Sequence, residues 1–210
     1  VTTTEKRRRL APAERRKLIL DGAMRVFGAH GYEAASMSEI AGEGGITPAV
    51  IYDHFPSKAA LAIELLERET KELFVFVGEA LEAVPREPRV LMRAGVNAYF
   101  QYVEEHPHAW RMLFREPPTD PEVADAYRRL NARSTQGIAA FLEAGAGDAL
   151  ADDEAPRQAL EVFAEMLKVA QNELASWWYE HPEVPRETVV ERLLQFCWEG
   201  LASIAEGGRR

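Results

Sequence analysis

Apolar residues recur at three- and four-residue spacing along most of the chain, and nowhere alternate with polar ones over the length of a strand. The fold class this predicts is all-α. From Pro12 to about Ala29, the residues Ile19, Ala23, Val26 and Phe27 form one helical stripe, ended by His30-Gly31. Two short helices follow within Ser36–Lys58, where Ile40, Ala41, Ile46, Val50, Ile51 and Phe55 are apolar around a Gly44-Gly45 break. Ser36 with Glu39 makes a capping box for the first, and Thr47 before Pro48 caps the second. This is a helix-turn-helix pattern. Thr47, Ala49, Tyr52 and His54 lie off the buried face of its second helix, as a helix entering a DNA major groove requires.

A long helix then runs from Pro56-Ser57 to about Val84 on Leu61, Leu65, Leu66, Leu73, Phe74, Val77 and Leu81. Roughly 27 residues at about 1.5 Å each make a rod of some 40 Å. Pro85 and Pro88 stop it, and Pro88 to Glu105 is the next helix, with Leu91, Met92, Val96, Tyr99, Phe100 and Val103. After His106-Pro107 comes a short helix whose Trp110, Met112, Leu113 and Phe114 cannot share one face. Glu122 to about Ala144 follows, then a loop, then Pro156 to about Glu180 and Arg186 to about Glu206. In the first of this last pair Leu160, Phe163, Ala164, Leu167, Ala170, Leu174 and Trp177 form a stripe that Val162, Met166, Val169 and Trp178 broaden. In the second, Val190, Leu193, Leu194, Cys197, Leu201 and Ile204 are widened by Val189, Phe196 and Trp198. Helices apolar on more than one side must be covered twice. A homodimer through these two C-terminal helices, four helices around a two-fold axis, is the economical solution.

Composition changes this picture in one respect. The net charge of −9 argues against nucleic acid until it is located: residues 1–60 hold nine Lys/Arg and seven Asp/Glu, a net of +2, and the remaining residues carry −11. The excess sits at Lys6, Arg7, Arg8, Arg9, Arg15, Arg16 and Lys17, opposed by Glu5 and Glu14. Residues 1–11 read as a flexible basic arm. No apolar run approaches the ~20 residues that cross a bilayer and no signal region follows the basic start, so the expected location is the cytoplasm, with no membrane partner. The single Cys197 sits in an apolar stretch and reads as a core residue.

The run Ile40-Ala41, Gly45-Ile46-Thr47, Ile51-Tyr52-x-His54-Phe55 and Ser57-Lys58-x-x-Leu61 resembles the DNA-binding signature of the tetracycline-repressor (TetR) family of bacterial regulators. Gly44 departs from it, standing where the family more often has alanine. The C-terminal stretch from Trp177 to Leu201 resembles, more loosely, the family's dimer-forming helices. The resemblance implies a helix-turn-helix DNA-binding domain over residues 12–57 and a helical ligand-binding and dimerisation domain over 58–210. It also implies phosphate contacts from Ser36, Tyr52, His54 and Lys58, base-edge contacts from Thr47, Pro48 and Ala49, and a palindromic double-stranded operator bound by a dimer. Repression is the family's commoner mode. The alternative is a ligand-binding or interaction dimer whose helix-turn-helix no longer binds DNA.

The family also implies an effector pocket between the long helix and those after it. Phe100, Trp110, Phe114, Tyr127, Phe141, Met166 and Trp177 are candidates to line it for an apolar or aromatic effector, with Asn97, Gln136, Asn172 and Glu173 as possible hydrogen-bonding groups. No cofactor, catalytic residue or metal site is expected. The sequence holds no phosphate loop, nucleophile elbow or helix-borne zinc motif, and His106-Pro107-His108 reads as a helix break.

Overall fold

The computed structural model describes residues 11–114, 118–146 and 154–207, the side chains of 144–146, 154–156 and 198–207 excepted. The expected basic arm and the loop expected after about Ala144 therefore fall largely outside the described residues. The elements are α1 (Pro12–Ala34), α2 (Met37–Glu43), α3 (Pro48–Tyr52), α4 (Lys58–Glu82), α5 (Pro88–Glu105), α6 (Pro107–Phe114), α7 (Pro121–Ala146), α8 (Glu154–Glu180) and α9 (Arg186–Gly207). The described residues form helices, turns and irregular connections with no strand, and none of the helices is long and apolar enough to cross a membrane.

Helix starts follow local chemistry. The Ser36 hydroxyl accepts from the Glu39 amide while the Glu39 carboxylate accepts from the Ser36 amide, and Ser57 accepts from the Ala60 amide at the head of α4. Thr47 occupies the N-cap of α3 with extended backbone, but its hydroxyl makes no capping bond. Here Pro48 supplies a helical φ, and the missing proline donor needs no partner. In α1 the helix breaks at Gly31, at φ 79°, and resumes for one further turn to Ala34.

Two apolar cores share the molecule. One joins Ile19, Val26 and Phe27 of α1 and Ile40, Ile51 and Phe55 of the helix-turn-helix to Leu61, Leu65 and Leu66 of α4, and extends to Leu113 and Val123. The other joins α5 and α6 to α8 and α9 through Phe100, Trp110, Phe163, Leu167, Trp178, Val189 and Cys197. Cys197 is buried, and that burial pushes its thiol up from the ordinary range.

The N-terminal helices ride directly on α6. A Cβ at Gly28 would lie 2.5 Å from the His108 carbonyl oxygen, so only glycine admits this approach. Past the break at Gly31, the Tyr32 hydroxyl donates to Asp120 at 2.9 Å, and the Thr119 amide and hydroxyl donate to Glu33 at 2.7 and 2.6 Å. Arg68 on α4 bonds Asp21 on α1 and the buried Glu69 beside it.

Candidate nucleic-acid interface and effector cavity

α3 is five residues long and held from below. Ile51 and Phe55 are fully buried and Val50 half-buried, which leaves Thr47, Pro48, Ala49 and Tyr52 exposed on the opposite side. The turn before it is set by Gly45, at φ 62°, with the Ile46 amide donating to the Ala41 carbonyl. Gly44 is different. Its φ of −84° and ψ of −4° are open to alanine, so the departure from the family pattern leaves the turn unchanged.

Ser36, at the head of α2, is exposed on the same unit, and His54 is half-buried with its carbonyl accepting from Arg16. Two cations have structural partners that the sequence analysis did not identify. Arg16 donates to the Glu64 carboxylate as well and lies 4.3 Å over the Phe55 ring, so its charge clamps α3 to α1 and α4 instead of adding freely to a basic footprint. Lys58 donates to the Tyr32 and Ala35 carbonyls at 2.9 and 3.1 Å and lies 4.3 Å over the Tyr32 ring. These carbonyls close α1, where the helix dipole favours a cation. Two of the three Lys58 protons are taken by these carbonyls. Neither role has a local signal, because partners 23 to 48 residues away share no periodicity with the cation.

A cavity of about 120 Å³ opens between α4, α5, α7 and α8. Leu73, Phe74 and Val77 form its α4 wall, and Tyr99, Phe114, Phe141 and Leu167 are among the other apolar groups. Of the expected aromatics, Phe114 and Phe141 line it. Phe100 is fully buried against Trp178, and Trp110 is buried with its indole donating to the Tyr99 hydroxyl at 3.0 Å, so both are core. Tyr127 lines a smaller gap between α4, α6 and α7.

Met166 and Trp177 depart from expectation: they stand 58% and 45% exposed on the outer face of α8, away from the cavity. The inward stripe of α8 runs through Phe163, Leu167, Gln171, Ala175 and Trp178, so Trp178 and Trp177 exchange the places their spacing suggested. Val162 and Val169 join them outside, as does Phe196 on α9 at 69% exposure. Among the expected polar groups Asn172 lines the cavity and accepts from Tyr99 at 2.7 Å, while Gln136 and Glu173 are exposed and Asn97 borders a groove between α5 and α9. Lys168 and Gln171 are the buried polar groups of the cavity wall that sequence reasoning missed.

The described residues bring no three His, Cys, Asp or Glu side chains together in a metal-binding group. What they present is a short helix, anchored by its apolar side, offering small, hydroxyl and phenolic groups to solvent beside a helical domain with a half-open cavity between its helices. That is the construction of a helix-turn-helix transcription regulator. Residues 19–65 match the family described as bacterial regulatory proteins, tetR family, and residues 88–200 match the tetracyclin repressor-like C-terminal domain; the chain belongs to the TetR family.

Over 197 residues, 93% of this chain and 87% of the relative, it is 29% identical to the HTH-type transcriptional activator FasR of Mycolicibacterium smegmatis. It is 25% identical to the HTH-type transcriptional regulator EthR of the same organism over 180 residues, 86% of this chain and 82% of that one. The fold is that of the fatty acid degradation regulator FadR from Bacillus halodurans, at a TM-score of 0.76 and 17% identity over 92% of this chain and 98% of the other. A TetR-like regulator from Rhodococcus sp. RHA1 superposes at 0.73 with 24% identity, covering 92% of this chain and 99% of that one. The protein is a DNA-binding transcription regulator.

Proposed function

We propose that the protein works in the cytoplasm, without enzymatic activity, as a homodimer that reads a palindromic operator with two copies of α3 and lets go when a small apolar effector enters the α4–α5–α7–α8 cavity. The observation that carries this reading is the exposed Thr47-Pro48-Ala49-Tyr52 face on a buried Ile51–Phe55 anchor. Tyr52, His54, Ser36 and the remaining Lys58 proton serve phosphate oxygens, and Thr47, Pro48 and Ala49 meet base edges. The outer apolar faces of α8 and α9, around Val162, Met166, Trp177 and Phe196, pair with those of a second copy.

Release follows from α4. Leu73 lies fifteen residues along it from Lys58, roughly 22 Å at helical rise, so one rigid rod spans from the cavity to the helix-turn-helix. Two recognition helices fit successive major grooves only about 34–36 Å apart, or at a multiple, so a shift of the rod lowers affinity without touching a base. Repression is the proposed sign. The relative FasR is named an activator; position of the operator relative to the promoter distinguishes the two.

Selection of bound sequences from a random DNA pool tests the reading. An enriched palindrome, bound with a steep negative salt dependence, supports a dimeric operator reader. A folded dimer that enriches nothing overturns it.

A further inference from the structure

We propose that the cavity selects an uncharged effector of about one ring in bulk, bearing a single carbonyl or hydroxyl oxygen, and that Gln171 is the residue that reads that oxygen. The inference rests on the reading of the cavity as the effector site and names the class of ligand it takes.

The Gln171 side chain is 7% exposed, lines the cavity, and makes no hydrogen bond to any described residue. Its carboxamide has no partner among the described residues and reaches only the cavity, so it is free to bond whatever enters. Beside it, the orientation of Asn172 is set by a chain of donors. The Trp110 indole N–H occupies the Tyr99 oxygen, which sends the Tyr99 proton to Asn172 Oδ1 at 2.7 Å and leaves the Asn172 NH2 group as a donor. The cavity corner thus offers two NH2 groups and one carbonyl oxygen. A ligand carbonyl or hydroxyl meets them.

Lys168 is the cation nearest an entering carboxylate at this corner, but its protons are committed. They go to Glu165 Oε2 at 2.7 Å, Thr135 Oγ1 at 2.6 Å and the Asn131 carbonyl at 3.4 Å. This ion pair also holds the Glu165 carboxyl below the usual range. The charge at the corner is therefore balanced before any ligand arrives, and an entering carboxylate would be a second anion beside Glu165 with no cation left for it. An entering ammonium would be a second cation beside Lys168, with Glu165 already paired. The Ser134 hydroxyl bonds the Leu130 carbonyl at 3.0 Å and adds no charge.

Size limits the rest of the molecule. About 120 Å³ is slightly less than the ~150 Å³ of a cavity that holds benzene. One six-membered ring, or an alkyl chain of like bulk, fills it, and a substituent beyond the ring projects through the cavity's open side.

The test uses the full-length dimer and four probes built on one ring: toluene, benzyl alcohol, benzamide and benzoate, with dissociation constants measured by titration calorimetry. Benzamide or benzyl alcohol is expected to bind about tenfold more tightly than toluene, and benzoate at least about tenfold more weakly than benzamide. In Gln171→Leu the benzamide-to-toluene ratio falls by about tenfold while toluene binding holds or improves. Because the readout is a ratio within one variant, general loosening of the fold does not imitate it, and Gln171→Met provides a second variant of near-equal length. Benzoate binding as tightly as benzamide, an unchanged ratio in both variants, or no probe binding would each overturn the proposal. Operator affinity is measured separately with each probe. A probe that binds through Gln171 yet leaves operator affinity unchanged overturns the effector reading and leaves the head-group assignment standing.

Discussion

The Lys58 ammonium lies 2.9 Å from the Tyr32 carbonyl oxygen and 4.3 Å over the Tyr32 ring, while the Tyr32 hydroxyl donates to Asp120 at the head of α7. One residue beyond the Gly31 break thus ties the foot of the long helix to the C-terminal helices. Lys58→Ala is expected to lose about 1–3 kcal/mol of stability in chemical denaturation, and to weaken DNA binding beyond the loss of a single phosphate contact. Tyr32→Phe separates the two effects. It keeps the carbonyl and the ring for Lys58 and gives up only the Asp120 bond, so operator affinity holds while the response to effector falls.

Glycine substitutions should rank by the space and backbone each one meets. Gly28→Ala drives a Cβ against the His108 carbonyl and is expected to cost about 1–3 kcal/mol or more. Gly45→Ala strains the left-handed turn by about 1–2 kcal/mol. Gly44→Ala, in ordinary helical backbone with van der Waals contact only, should be neutral or stabilising by up to about 1 kcal/mol. Thermal midpoints in the order Gly44→Ala, Gly45→Ala, Gly28→Ala, highest first, check the ranking; Gly28→Ala at the top contradicts the close packing of α1 on α6.

Burial holds the buried Glu69 carboxyl above the ordinary glutamate range, against the opposing pull of Arg68. A proton held more tightly in the folded chain stabilises it fully below the ordinary range, and that contribution is lost as pH rises through the folded value. Glu69→Gln, which still accepts from Arg68, should therefore gain stability relative to the parent as pH rises above the ordinary glutamate range, measured by urea unfolding. Glu33, Glu39 and Glu165 run the other way: hydrogen bonds from Thr119, Ser36 and Lys168 lower them, and their contribution disappears as pH falls below the ordinary range. A difference between variant and parent that is flat in pH would contradict the role of Glu69. Nearby, the Tyr102 hydroxyl is buried without a hydrogen-bond partner among the described residues, so Tyr102→Phe should not destabilise.

Division of labour on α3 predicts two kinds of loss. Tyr52→Phe should weaken binding to every sequence alike and leave the salt slope nearly unchanged, because a neutral phenol reaching a phosphate carries no sequence information and releases no counterion. Ala49→Ser should change preference at one operator position and leave the salt slope alone. Selection from a random pool at two salt concentrations reads both, and equal, sequence-independent losses from the two variants would contradict the assignment.

Charge placed on the outer face of α8 or α9 should split the proposed dimer. Met166→Glu and Phe196→Glu, both at well-exposed positions, are expected to leave helical content intact while sedimentation shifts toward monomer and operator affinity falls. A variant that remains fully dimeric would place the interface elsewhere.

The elements themselves were legible in the chain because their signals are local. A proline or a capping hydroxyl at a helix start acts on its own turn, and the stripe of Ile40, Ile51 and Phe55 needs only 3.6-residue periodicity to predict which side is buried. The family signature was legible for the same reason, since it lies within one short stretch. Decisions between distant residues were not. That Trp178 turns inward while Trp177 stays outside depends on where α5 and α9 press on α8, and both lie within reach of a broad apolar stripe. Likewise nothing near Lys168 in sequence says that Thr135 and the Asn131 carbonyl, some 35 residues away on α7, absorb its protons. Local propensity and periodicity determined the helices and the reading head; packing between helices alone decided which charges are already satisfied and which polar group, Gln171, is left facing the cavity.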